Sequence, residues 1–159
     1  MANKLRKFVE SANRLPMWLS RRLITWMFRF KVKLAGTANI EILSTNYTSA
    51  SLRLQNKRSV QNHIGSVHAA GMALLAESAS GFLVGINLPE NKLPLLKSMH
   101  LQYVKRATGD LLAVSKLSAE QITLMQSEPK GEVNVNVQVT DVNGTEPVIC
   151  EMVWAWISR

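Results

Sequence analysis

One long stretch of small and apolar residues, Gln61 to Val84, constrains the fold of this chain more than any other feature. It opens with a polar turn and continues with alanine, leucine and methionine, and it contains a single carboxylate, Glu77. An unpaired carboxylate is costly to bury, so a residue in this position is usually paired, protonated or functional. The stretch therefore predicts a buried helix that carries one chemically unusual residue.

We expect this helix to run from Ser66 to Phe82, with Gly65 or Ser66 at its start and Gly81 or Gly85 at its end. Almost all side chains around its circumference are small or apolar, which predicts burial on most sides. A simpler interpretation stays open, in which the stretch is only a core helix and Glu77 lies at a solvated corner.

The positive charge of the chain is concentrated at its N-terminus. The formal net charge is +8, and residues 1–33 contain nine Lys or Arg and one Glu, whereas acidic and basic residues balance in the remainder. Apolar residues recur at helical spacing on both sides of Pro16. We therefore predict a basic amphipathic helical extension over residues 1–33 and a separate domain over residues 34–159.

Three roles suit this extension: packing on the domain, contact with an anionic membrane surface, or binding to acidic partners. Nucleic-acid binding is not expected, because no recognised reading motif accompanies the charge. Arginines interrupt the apolar runs, so we expect neither a signal peptide nor a segment long and apolar enough to span a membrane. Cys150 is the only cysteine, which excludes an intrachain disulfide and fits a cytoplasmic location.

The rest of the chain predicts an antiparallel sheet. Two strands are expected within residues 37–55 around Asn46, followed by strands at Leu95–Lys105, Leu111–Glu120, 133–139 and Val148–Ile157. Valine alternates with asparagine and glutamine over 133–139, which indicates a strand with one polar face. The sequence thus predicts an α+β fold, with one buried helix after two strands and four further strands.

The order of these elements, together with two motifs, resembles the hotdog fold, in which a curved antiparallel sheet wraps around a long central helix. Asn62-His63-Ile64-Gly65-Ser66-Val67-His68, followed nine residues later by Glu77, resembles the acyl-CoA thioesterases of the phenylacetate-pathway type. Those carry Asn-x-x-Gly-x-x-His-Gly-Gly and then an acidic residue nine positions past the histidine. Tyr103 to Asp110 resembles their later Tyr-x-x-Pro-Ala-x-x-Gly-Asp turn. The resemblance covers about residues 37–157 and points to an uncharacterised branch of the superfamily.

Several positions depart from the family pattern. Ala69 and Ala70 replace the two glycines, Arg106 replaces the proline, and Leu96 stands where the family has a serine that helps to hold the attacking water. These departures concern catalysis more than fold. A non-catalytic acyl-CoA or fatty-acyl binding protein therefore stays open beside a thioesterase, and a hotdog hydratase or dehydratase is a further alternative.

The resemblance implies an acyl-CoA substrate and a site in which Glu77 is the base that activates water, or the nucleophile itself. Asn62 and His68 would position the thioester or complete the oxyanion site, and the backbone N–H of Ala69 would polarise the carbonyl. Structural alternatives exist, because Asn62 suits a turn and His68 can bond to backbone groups in the first turn. We expect no cofactor apart from the coenzyme A of the substrate, and scattered histidines predict no metal site.

Two further expectations concern the carrier and the assembly. Lys105 and Arg106 follow the strand that would line the coenzyme A groove, so they are candidates for phosphate contacts. His68 and Glu77 are nine residues apart, which in one helix gives an offset of about 180° and a rise of about 13.5 Å. In a two-fold dimer His68 of one chain would approach Glu77 of the other, as in the resembling thioesterases, so we expect a homodimer or tetramer.

Overall fold

The computed structural model describes residues 3–158, which form five α-helices, one short 3-10 helix (Arg58–Val60) and six strands. The helices are α1 (Lys4–Ala12), α2 (Met17–Lys31), α3 (Lys33–Thr37), α4 (Ala69–Asn87) and α5 (Ala119–Ser127). The strands are β1 (Glu41–Thr45), β2 (Ser49–Leu54), β3 (Lys92–Tyr103), β4 (Leu111–Lys116), β5 (Gly131–Asp141) and β6 (Val148–Ser158). The two helices on either side of Pro16 and the two strands around Asn46 agree with the sequence patterns.

The six strands form one antiparallel sheet in the order β1-β2-β4-β5-β6-β3. Along β5 the valines are buried and the polar residues between them are exposed, as the alternation predicted. Strand β6 lies between β5 and β3, in the interior of the sheet as predicted. One face, with Met152, Trp154 and Trp156, is buried, whereas Ile149 and Ile157 on the other face are exposed. The predicted α+β architecture, a curved antiparallel sheet around one central helix, is confirmed.

Helix α4 is the central helix, but its ends differ from the prediction. It begins at Ala69 rather than Ser66, because His68 has an extended backbone and its Nδ1 accepts the Ala70 N–H at 3.0 Å. It continues to Asn87, so neither Gly81 nor Gly85 ends it. Gly81 is instead a point of close packing, since a Cβ there would lie 2.6 Å from a ring carbon of Trp154.

By length and composition alone, α4 would be able to cross a membrane, and it is the single helix within residues 3–158 of which this is true. The expectation that no segment reaches this length and apolarity was therefore wrong. More than half of the helix is buried inside the fold, and the core helix of a folded domain passes the same test. The helix contacts five of the six strands. It can pack on several sides because most side chains around its circumference are small or apolar.

Helices α1 and α2 each pack one face onto the same core. The buried residues that they contribute are Val9 and Ala12 from α1 and Ile24 and Phe28 from α2. Phe28 meets Phe82 of α4 edge to face, with the ring centroids 5.5 Å apart. The packing role considered for the basic extension is therefore present, and the division of the chain between residues 33 and 34 stays a prediction.

The strand predicted over Leu111–Glu120 is wrong in its second half, because β4 ends at Lys116 and helix α5 follows. Ser118 and Gln121 form a capping box, in which each side chain accepts the backbone N–H of the other residue. At the other end of α5 the buried ammonium of Lys92 donates to two backbone carbonyls, at 2.8 and 2.9 Å. The Ser-x-x-Gln spacing was visible in the sequence and marks the start of this helix.

Candidate active site

The loop before α4 is shaped by the side chain of Asn62. Its Oδ1 accepts the backbone N–H groups of Ile64 and Ser66, both at 3.1 Å, and the Asn62 N–H donates to the Ser66 carbonyl at 2.8 Å. The Oδ1 atom is therefore engaged in a local turn. The Nδ2 group makes no hydrogen bond within residues 3–158, so it is the part of Asn62 that a ligand can still use.

His68 and Ala69 form the exposed start of α4. Because Nδ1 of His68 accepts the Ala70 N–H, the neutral imidazole carries its proton on Nε2, which is then a donor. Neither this Nε2 nor the backbone N–H of Ala69 makes a hydrogen bond within the described part of the chain. The helix start thus offers two unused donors at its positive dipole end, which is the arrangement that an oxyanion requires.

The end of β3 is fastened to this loop by Tyr103 and Arg106. The Tyr103 hydroxyl donates to the Ala69 carbonyl at 2.8 Å. Arg106 donates from Nε to Ser66 Oγ at 3.1 Å and from Nη2 to the Ile64 carbonyl at 3.0 Å. Arg106, which replaces a proline of the family pattern, is therefore already engaged, whereas its neighbour Lys105 is exposed and makes no ion pair with residues 3–158.

Glu77 lies in the wall of an apolar cavity of about 770 Å³, between α4, the two N-terminal helices and strands β3 and β6. The large side chains around this cavity are Phe8, Met27, Phe28, Phe82, Leu93 and Trp154. The Glu77 carboxylate makes no hydrogen bond or ion pair within residues 3–158. Burial raises the pKa of the Glu77 carboxyl above its ordinary value, and desolvation is the cause.

Two serines near Glu77 contribute to this wall, Ser78 directly and Ser80 through its hydrogen bond to Trp154. Ser78 is only 2% exposed, lines the cavity, and its hydroxyl has no hydrogen-bond partner within the described residues. Ser80 accepts the indole N–H of Trp154 at 2.9 Å, which fixes the ring against Gly81. Sequence reasoning missed both serines and Trp154, although hydroxyls inside an apolar helix beside a lone carboxylate were an available signal.

The two predicted catalytic groups, His68 and Glu77, do not come together within one chain. His68 precedes α4 instead of lying in it, so the offset of about 180° does not apply as stated. Ala69 and Glu77 are eight helical steps apart, which corresponds to a rise of about 12 Å. Among residues 3–158 no group of three or more His, Cys, Asp or Glu is arranged to hold a metal ion.

The fold and this arrangement define a hotdog-fold protein, and solved structures agree. A Pseudomonas aeruginosa protein of unknown function, described as a probable thioesterase, is 25% identical, with a TM-score of 0.76 over 91% of this chain and 97% of that one. A thioesterase from Haemophilus influenzae is 12% identical, with a TM-score of 0.66 over 79% and 82%. A thioesterase family protein from Silicibacter pomeroyi is 11% identical, with a TM-score of 0.66 over 85% and 96%.

The chain belongs to the family described as "Domain of unknown function (DUF4442)", whose model matches residues 20–157. No protein with a curated function matches the chain in sequence. The predicted resemblance to an uncharacterised branch of the hotdog superfamily is thereby confirmed. The match begins inside α2, so most of this basic helix is part of the family pattern.

Proposed function

We propose that this protein hydrolyses an acyl-CoA thioester, with Glu77 as base or nucleophile in a site completed by a second copy of the chain. The observation that carries the proposal is a carboxylate that makes no ion pair within residues 3–158, in the wall of a largely apolar cavity that Lys4 and Lys31 also line. A base works best when its pKa lies near the working pH, and burial shifts the Glu77 pKa in that direction. The similar structures named as thioesterases support the same reaction class.

The cavity suits the acyl part of such a substrate. Its volume lies within the range of small-molecule sites, and its wall is largely apolar. In the proposed reaction, Glu77 takes a proton from water, and the water oxygen attacks the thioester carbon. The carbonyl oxygen becomes an oxyanion held by donors at the helix start; the C–S bond then breaks, and the thiolate leaves and is protonated.

A second copy would supply those donors, and two surfaces support its presence. Ala70, Ala73 and Leu74 are incompletely buried and lie on the same side of α4 as Glu77, where a partner helix can approach. Strand β3 is an edge strand with exposed apolar side chains, including Leu95, Leu96, Met99 and Tyr103. Exposed apolar edge strands are normally protected from solvent. Pairing of β3 with β3 of a second copy would protect it and would produce a two-fold dimer.

The coenzyme A moiety would lie near the end of β3. Lys105 is the better candidate for a phosphate contact, because its ammonium is exposed and unpaired within residues 3–158. Arg106 already donates to the loop, and a phosphate would have to use its remaining N–H groups.

A non-catalytic acyl-CoA binding protein is the second candidate. It is favoured by the local engagement of Asn62 Oδ1 and by Leu96 at the position of the family serine. The cavity serves binding and hydrolysis equally well. No observation in this fold favours a hydratase or dehydratase.

Hydrolysis of short, long and aromatic acyl-CoAs tests the proposal, with Glu77→Gln as the inactive variant and the exposed Glu120→Gln as its matched control. We expect turnover that Glu77→Gln lowers by about two to four orders of magnitude and Glu120→Gln leaves unchanged. Light scattering should give a dimer or a multiple of one. Binding of acyl-CoA that depends on the length of the acyl chain, without turnover, would instead support the non-catalytic binding protein. A monomer by light scattering would contradict a site shared between two subunits.

A further inference from the structure

Helix α2 has two faces in opposite environments. Ile24 and Phe28 are buried in the core. Trp18, Trp26 and Phe30 face away from it, and their exposed fractions are 64%, 66% and 67%. Aromatic side chains carry a large apolar area, so three of them exposed on one helix mark an interaction surface.

These residues form one continuous surface. Trp18, Trp26 and Phe30 are eight and four positions apart, which places them on the same side of the helix. The Trp26 and Phe30 rings stack, with centroids 5.9 Å apart and planes inclined by 16°. Met17 and Leu34 are exposed at the two ends. We call these five residues the aromatic face.

Unpaired cations surround the aromatic face. Arg21, Arg22, Lys31 and Lys33 make no ion pair within residues 3–158. Arg21 and Arg22 also line an open cleft of about 590 Å³ together with Trp18, Trp26 and Phe30. Arg29 is different, because it donates to two carbonyls beside β1 and so serves the fold. Four cations without an ion pair among residues 3–158 therefore lie around the exposed aromatic residues of α2.

We infer that the aromatic face docks on an anionic phospholipid surface. Tryptophan and phenylalanine suit the boundary between headgroups and acyl chains, and arginine and lysine suit the lipid phosphates. Charge also argues against a second copy of this chain as the occupant, since a two-fold contact would bring the same cations opposite one another. The inference stands independently of the proposed hydrolysis.

The docked orientation also relates to the cavity of Glu77. Met27 and Lys31 line that cavity from the side of α2 next to the aromatic face. Docking through α2 would hold this wall of the cavity at the lipid surface. An acyl chain that partitions into the bilayer would then be concentrated near it.

Vesicle binding by the full-length protein tests the inference, and its own tryptophans report it. Trp18 and Trp26 are exposed, whereas Trp154 and Trp156 are buried, and of these two Trp156 does not line the cavity of Glu77 and serves as the reference. We expect a blue shift, protection from acrylamide, and quenching by brominated lipid with vesicles of phosphatidylglycerol and phosphatidylcholine. Vesicles of phosphatidylcholine alone, or added salt, should reduce these signals strongly.

Matched variants locate the surface. Trp18→Ala with Trp26→Ala should weaken partitioning by about tenfold or more, measured by co-sedimentation. The control pair Leu124→Ala with Val142→Ala, at two exposed apolar residues outside the aromatic face, should have no effect. Arg22→Glu should weaken partitioning by at least about fivefold, in keeping with the contribution of one cation near an anionic surface. Lys130→Glu, an exposed charge far along the chain, is its control.

Three results would overturn the inference. The first is no binding to anionic vesicles at low salt. The second is binding that the tryptophan pair and the control pair weaken equally. The third is a change of oligomeric state on replacement of Trp18 and Trp26 without any vesicle binding, which would assign the aromatic face to a protein partner.

Discussion

The loop before α4 and the middle of α4 differ in how their polar atoms are satisfied. Around the loop, Asn62 Oδ1, His68 Nδ1 and the Arg106 guanidinium all bond within the chain. In the middle of the helix, the carboxylate of Glu77 and the hydroxyl of Ser78 have no partner among residues 3–158. The bonded atoms of the loop stabilise its conformation, and only donors such as Asn62 Nδ2 and His68 Nε2 are left for a ligand there. Around Glu77, the carboxylate and the Ser78 hydroxyl are both left for a ligand.

The difference divides the residues of one sequence motif into those that stabilise the fold and those that are available for function. A polar group that already has its partners contributes mainly to stability, and its loss costs folding free energy. A buried group without a partner costs stability, and that cost is retained where function requires it. Substitutions that remove the internal bonds of the loop should therefore lower the free energy of unfolding, and those around Glu77 should act on activity.

Glu77→Gln should have the largest effect, and its sign depends on pH. Burial raises the folded-state pKa of Glu77 above its ordinary value of 4.5, so the folded protein binds this proton more tightly than the unfolded chain does. Ionised Glu77 therefore lowers the free energy of unfolding. This loss is absent below the pKa that Glu77 has in the unfolded chain, and it grows as the pH rises towards and through its pKa in the folded protein. Glu77→Gln should therefore raise Tm at neutral pH, leave it unchanged at about pH 4 or below, and abolish most turnover.

Glu120→Gln is the control of opposite sign. A hydrogen bond from Ser118 lowers the Glu120 pKa, so this carboxylate favours folding above its unfolded pKa, and its loss should lower Tm slightly at neutral pH. Calorimetry of both variants and the wild type from pH 4 to pH 8 measures how the change in Tm depends on pH. A Tm of Glu77→Gln well below that of the wild type, with activity per folded molecule intact, would show that Glu77 is structural.

Gly81→Ala should be the most damaging change to the shape of the cavity wall. The added Cβ would lie 2.6 and 2.7 Å from two ring carbons of Trp154, so the ring must move, at a cost of about 1–3 kcal/mol. Gly85→Ala is the matched control in the same helix and cavity, because its Cβ meets only a Leu5 methyl at 3.3 Å. Higher helix propensity should make it neutral or stabilising by up to about 1 kcal/mol. Equal urea midpoints for the two variants would contradict this account of the wall.

Most strands and the existence of α4 could be predicted because their signals are local. The valine alternation of β5 repeats at every second residue, and Pro16 separates two helices by its own geometry. Helix α5 also carried a local signal, at Ser118 and Gln121, which was overlooked. The end of α4 was not predictable in this way, because Gly81 lies inside the helix and makes room for the ring of Trp154, which is a tertiary contact.

The candidate site was predictable only in part, for a physical reason. The isolation of Glu77 is a property of the sequence, and so is the spacing from Asn62 and His68. The cavity is a tertiary property, since α1 and α2 come from the other end of the chain to form one wall. Likewise, no pattern shows that the Ser78 hydroxyl has no partner or that Arg106 reaches back to Ser66.

In Asn62, the contribution of Oδ1 to the stability of the loop can be separated from a contribution of Nδ2 to substrate binding. Asn62→Ala removes the acceptor of two backbone N–H groups and should lower the free energy of unfolding by about 1–3 kcal/mol. Asn62→Asp keeps an oxygen acceptor for the two backbone N–H groups but replaces the Nδ2 donor with a second oxygen and adds a negative charge, and its stability should stay close to that of the wild type. We expect this variant to lose less than about tenfold in kcat/KM. A larger loss with Tm preserved would assign the Nδ2 group to the substrate and weaken the contrast between the two regions.

The smallest effects are expected at Arg106 and Lys105. Arg106 should stabilise the loop, and Lys105 should bind the ligand. Arg106→Lys keeps the charge but cannot reproduce the paired contacts to Ser66 and the Ile64 carbonyl, so it should lower the free energy of unfolding by about 0.5–1.5 kcal/mol. Lys105→Gln should change stability by less than about 0.5 kcal/mol, because no contact is lost. Its effect should appear instead as a higher KM for acyl-CoA at low salt that disappears as salt screens the phosphates. A salt-sensitive KM in Arg106→Lys with unchanged Tm would reverse the two assignments and extend the ligand-binding region to the loop.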